Sequence, residues 1–116
     1  MAIESIGARG EEAVADGYRR RGYRILARNW RCRLGELDLV AERRGVLVFC
    51  EVKSRRGPVF GGGYEAVTRR KRAKLRSLAE AFLQAAGWRP QVIRFDVASV
   101  AFDRGRPTVE LFEGAF

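Results

Sequence analysis

Between Glu36 and Lys53 the sequence reads ELDLVAERRGVLVFCEVK, and few folds accommodate it. Two runs rich in β-forming residues flank Arg43-Arg44-Gly45, a spacing that predicts a hairpin. Side chains on a strand alternate between faces. Taking Arg44-Gly45 as a two-residue loop pairs Arg43 with Val46 and sets Asp38 opposite Glu51, with Cβ atoms about 4.5 to 5.5 Å apart. One face then carries Leu37, Leu39, Ala41, Val48, Cys50 and Val52, all apolar. The other carries Glu36, Asp38, Val40, Phe49, Glu51 and Lys53, so its charges gather at one end.

Two carboxylates opposed on a sheet repel, and a sequence that holds them there needs a cation or a proton between them. A hard divalent ion with oxygen ligands, Mg²⁺ or Mn²⁺, suits that pair. Lys53 lies two residues beyond Glu51 on the same side, placed to orient a water or to offset charge on a phosphoryl oxygen. The chain has no histidine, which removes imidazole bases and ligands from any mechanism. The competing account is a surface ladder, with Glu36 paired to Lys53 and both Asp38 and Glu51 solvated, an arrangement that contributes little.

The flanking sequence predicts one domain over residues 1–116. Ile6 to Arg21 reads as a helix, with Val14, Ala15 and Tyr18 on one stripe and Gly22 as its stop. Glu11 shares that stripe and is aimed at the sheet, whereas Glu12 sits with Asp16 and Arg19. Tyr23 to Asn29 is a strand preceding the hairpin. Ser54 to Glu65 is a Gly- and Pro-rich loop, and Val67 to Ala86 is the longest helix, with Lys71 continuing its apolar stripe. Val92 to Phe102 and Thr108 to Phe112 are strands joined by a turn over Arg104 to Pro107. Helix, three strands, helix, strand, strand describes an α/β domain with a mixed sheet flanked by helices.

Lys and Arg number 23 against 14 acidic residues, for a formal charge of +9, so a polyanion is the natural partner. Arg55, Arg56, Arg69, Arg70, Arg72 and Lys74, with Arg76, are the expected grip on phosphates, without reading sequence. Cys32 and Cys50 lack the spacing of a zinc site or a disulfide framework. No signal-like or membrane-spanning apolar run is present, and a cytoplasmic protein is expected.

Several motifs stand in fixed order: Gly10-Glu11 opening a helix, Gly22-Tyr23-x-Ile25-Leu26-x-x-Asn29, Gly35-Glu36-Leu37-Asp38-Leu39-Val40, Phe49-x-Glu51-Val52-Lys53-x-Arg55, Val67-x-x-x-Lys71 and Arg94-Phe95-Asp96-Val97. Together they resemble the YraN family of uncharacterised bacterial proteins. That family is similar to the Holliday junction resolvases of the PD-(D/E)XK nuclease superfamily, which implies a restriction-endonuclease-like core and one or two magnesium ions. The resemblance implies Asp38 and Glu51 as metal ligands, Glu11 as the helix-borne acid at the metal, and Lys53 as the catalytic lysine. Lys71 and Glu36 are the expected supporting residues. The expected function is a metal-dependent endonuclease acting on DNA, branched or junction DNA included. A non-catalytic nucleic-acid-binding module on the same fold is the alternative. A homodimer or scaffold pairing through Thr108 to Phe112 is a third expectation.

Overall fold

A computed structural model describes residues 5–57 and 69–116. Its elements run α1 (Ile6–Arg20), β1 (Arg24–Cys32), β2 (Gly35–Arg43), β3 (Val46–Arg56), α2 (Arg69–Ala86), β4 (Val92–Asp103) and β5 (Arg106–Phe112). The strands lie side by side in chain order, antiparallel except for β4, which runs parallel to β3. A parallel neighbour requires a crossover, and the connection containing α2 supplies it. The architecture is α/β and compatible with a restriction-endonuclease-like core.

Local chemistry fixes the ends. Ser5 caps α1 by accepting the Ala8 N–H at 3.1 Å. At the other end Gly22 has φ 89, while Gly22 and Tyr23 donate to the carbonyls of Arg19 and Tyr18, so the predicted glycine stop is a Schellman turn. Arg44-Gly45 and Arg104-Gly105 both have positive φ at the two central positions, the twist that two-residue hairpins demand. The second turn is tighter than the sequence suggested, so β4 runs on to Asp103 and β5 begins at Arg106. β1 likewise continues to Cys32, and β3 continues through Ser54 and Arg55 to Arg56, taking residues assigned to a loop. Residues 58–65 of that loop, and the helix start at Val67, fall outside the described residues.

Each helix covers one face of the sheet. Val14, Ala15 and Tyr18 of α1 pack on Leu39, Ala41, Val48, Cys50, Ala98 and Val100. Leu75, Leu78, Ala79, Phe82 and Leu83 of α2 pack on Leu37, Val40, Leu47 and Phe49. A buried polar network fastens the α1 side. Asp96, only 1% exposed, accepts the Tyr18 hydroxyl at 2.6 Å, two N–H groups of Arg94 at 2.9 Å each and the Gly114 N–H at 3.0 Å. Four donors on one carboxylate compensate the loss of water that burial imposes. No described helix is long and apolar enough to cross a membrane.

Candidate active site

The β2–β3 hairpin has the predicted register, Arg43 with Val46 through to Leu39 with Cys50, and its ladder stops there. Continued by two more residues, it would pair Leu37 with Val52 and give the Val52 N–H to a β2 carbonyl. Asp38 Oδ2 accepts that N–H instead, at 2.9 Å. The strands part where Asp38 and Glu51 stand, and a carboxylate fills the opening.

The faces predicted for β2 need one correction. Leu37 belongs with Val40 in the core under α2, whereas Leu39 and Ala41 belong to the core under α1. Strict alternation would have kept Leu37 with Leu39, so β2 changes sides at Asp38. β3 keeps its alternation, with Leu47 and Phe49 toward α2 and Val48 and Cys50 toward α1. Glu51 and Lys53 therefore follow Phe49 on the α2 side, whereas Asp38 sits at the crossing point and not within a regular row.

Electrostatics registers the proximity of these acids. Burial, then the charge of Glu51, push the Asp38 carboxyl up to about 7; the Val52 N–H pulls the other way, and Glu11 and Glu36 add to the rise. Glu51 is met from α2 by Lys71, Nζ to Oε1 at 3.3 Å, as the inward stripe of that helix predicted. A hollow of about 120 Å³ lies here, lined by Glu36, Glu51, Lys71, Lys74, Leu75 and Leu78. Lys53 is half-buried one alternation beyond Glu51.

Glu11 arrives from the opposite helix because of the residue before it. Gly10 is buried, and a Cβ there would lie 1.9 Å from Ser54 Oγ and 3.1 Å from Ser54 Cβ. Without a side chain, α1 settles against β3 and brings Glu11 within the field of Asp38. Glu11 Oε1 accepts an N–H from Asn29 at 3.1 Å. Glu12, on the polar side as expected, pairs with Arg19 and Arg28.

The structure thus brings Glu11, Asp38, Glu51, Lys71 and Glu36 around one end of the β2–β3 opening. The competing surface ladder is not formed: Glu36 pairs with Arg31 at 2.6 Å, and Asp38 is turned inward. Arg55 follows Lys53 on the same side of β3, Arg56 is exposed at its end, and Arg69, Arg70, Arg72, Lys74 and Arg76 crowd the first two turns of α2. Among the described residues no three acidic or sulfur side chains are close enough to form a ready metal cage. Asp38 and Glu51, all-oxygen donors whose mutual repulsion a cation would relieve, still suit a hard divalent ion, which keeps several waters and typically takes one or two carboxylates. Two contributors escaped sequence reasoning. The Val52 N–H is a backbone group with no sequence signal, and Asn29 carries in the sequence only the signal of a strand end.

Comparison with known proteins adds a family context. The sequence model of a family described as uncharacterised protein family UPF0102 matches residues 10–100, a span that begins at Gly10 and takes in every acid just described. A UPF0102 protein of Parafrankia sp. (strain EAN1pec) is 47% identical over 114 residues, covering 97% of this chain and 97% of the relative. One from Pelotomaculum thermopropionicum is 49% identical over 117 residues, covering 99% and 98%. One from Symbiobacterium thermophilum is 46% identical over 112 residues, covering 96% and 95%.

Proposed function

Because this chain belongs to the uncharacterised protein family UPF0102, the YraN family, whose relatives' names carry no activity, we propose from its site and from its resemblance to the PD-(D/E)XK nucleases that it is a cytoplasmic, metal-dependent endonuclease hydrolysing phosphodiester bonds in DNA, branched or junction DNA included. The observation that carries this reading is the Asp38 carboxylate, locked by the Val52 N–H beside Glu51 and left with a raised proton affinity. That is a stored repulsion which a divalent cation discharges.

Asp38 and Glu51 would hold Mg²⁺ or Mn²⁺, with Glu11 at the margin of the shell. When bound, such an ion supplies Lewis-acid stabilisation of charge developing on a phosphoryl oxygen. The chain's own residues do the remainder. Lys53 hydrogen-bonds and orients a nucleophilic water. Lys71 balances the charge of Glu51, with Glu36 and Lys74 in the same hollow. Arg55, Arg56, Arg69, Arg70 and Arg72 engage the phosphates on either side of the scissile bond.

The test is cleavage of junction, flap and duplex DNA with Mg²⁺ or Mn²⁺ by wild type, Glu51→Ala and Lys53→Ala. Loss in both variants supports the reading, and equal rates in all three overturn it. A second reading, a binding module without catalysis, is favoured by the Lys71 amine already on Glu51. It requires DNA affinity that falls steeply with salt and is indifferent to Asp38→Asn and to metal.

A further inference from the structure

We infer that Asn29 is a positioning residue for the acidic site, building it twice over, through its backbone at Asp38 and through its side chain at Glu11. The inference rests on the metal-site reading above. Among the described residues three non-glycine residues have positive φ; Arg44 and Arg104 are hairpin turns, but Asn29, at φ 52, stands inside a strand. Asparagine is among the few residues that enter this region at small cost, because its short amide bonds locally. A strained conformation away from any turn calls for a local reason.

The reason lies across the sheet. In the β1–β2 register Arg28 pairs with Leu39 and Trp30 with Leu37, while the intervening Asn29 and Asp38 are not paired. At that gap both strands change sides together. Arg28 reaches Glu12 on α1, yet Trp30 packs on Phe82 of α2 at 5.4 Å. Leu39 faces α1, yet Leu37 faces α2. A lone side-switch in β2 would leave its neighbour out of step, so the left-handed turn at Asn29 is what lets Asp38 leave the row and turn its carboxylate to Val52. The same residue then donates Nδ2–H to Glu11 Oε1 at 3.1 Å. A neutral donor orients that carboxylate without competing with a cation for it.

The experiment is Mn²⁺ titration of the full chain by calorimetry, with urea unfolding of each variant in parallel. Asn29→Gly tolerates positive φ but lacks the amide, so it should unfold at the wild-type midpoint and bind Mn²⁺ about tenfold more weakly, as removal of a group supporting a metal ligand does. Asn29→Val cannot hold the turn, and should weaken Mn²⁺ binding further. Combining Asn29→Gly with Glu11→Gln should be no worse than Glu11→Gln alone, because the amide acts through Glu11; a merely structural role would add to it. Wild-type affinity in Asn29→Gly, or additivity in the double variant, overturns the side-chain role while leaving the metal site standing. An Asn29→Val that binds Mn²⁺ no more weakly than Asn29→Gly overturns the backbone role. A wild type that takes up no Mn²⁺ overturns the metal site and this inference together.

Discussion

Lys71 Nζ lies 3.3 Å from Glu51 Oε1, so the most basic segment of the chain is tethered to the acid midway along β3. Lys71 thereby stands where a cation would act on Glu51, and it carries the first prediction. Lys71→Ala should bind Mn²⁺ several-fold more tightly, because a competing charge is gone, while DNA affinity weakens and its salt slope drops by about one. Parallel metal and DNA titrations measure both, and weaker Mn²⁺ binding would contradict the competition.

A second prediction concerns pH. The folded-state proton affinity of Asp38 is raised from 3.8 to about 7, by burial and then by Glu51. Its contribution to stability is therefore fully present below about pH 4 and lost as pH rises through about 7. Asp38→Asn keeps an acceptor for Val52 and removes the titration. Without divalent metal the variant should match wild type near pH 4 and melt higher at pH 8, and Mn²⁺ should raise Tm at pH 8 in wild type only. Thermal melts across that range decide it, and parallel curves for the two proteins would refute it.

The approach of α1 to β3 has its own test. Gly10→Ala gains helix propensity but drives a Cβ into Ser54, and overpacking of this kind costs about 1 to 3 kcal/mol. Ser54 Oγ is buried with no hydrogen-bond partner among the described residues, so Ser54→Ala should be neutral or stabilising. Gly10→Ala with Ser54→Gly should recover most of the loss. Chemical unfolding of the three variants checks this, and a destabilising Ser54→Ala would overturn it.

Asp96 holds the opposite half of the same helix. Asp96→Ala strands the Arg94 guanidinium and the Tyr18 hydroxyl, and should cost about 3 to 5 kcal/mol. Tyr18→Phe removes one bond to a charged acceptor, about 1.5 to 3 kcal/mol. Urea denaturation measures both, and a loss below 1 kcal/mol in each would remove the network from the account of what seats α1.

Much of this molecule was legible from its residues because the rules involved are local. Arg44-Gly45 between two β-rich runs determined a hairpin and its register, Gly22 determined where α1 stops, and the stripe through Leu75 and Leu78 determined that Lys71 faces the sheet. Each depends on periodicity or on the φ a residue tolerates, and neighbours in the chain suffice to decide it.

What only the tertiary structure decided is where periodicity is broken. Leu37 changes sides, Asp38 takes a hydrogen bond that would have belonged to a strand, Glu36 pairs with Arg31 and not Lys53, and Asp96 gathers donors from α1, β4 and the segment after β5. Alternation is a property of an undisturbed ladder. A carboxylate interrupts it only when another strand presents a free N–H and a neighbouring strand turns with it, and those conditions are met by residues far apart in sequence. The acids were therefore readable as a set, while the opening that brings them together exists only once β1, β2 and β3 lie side by side.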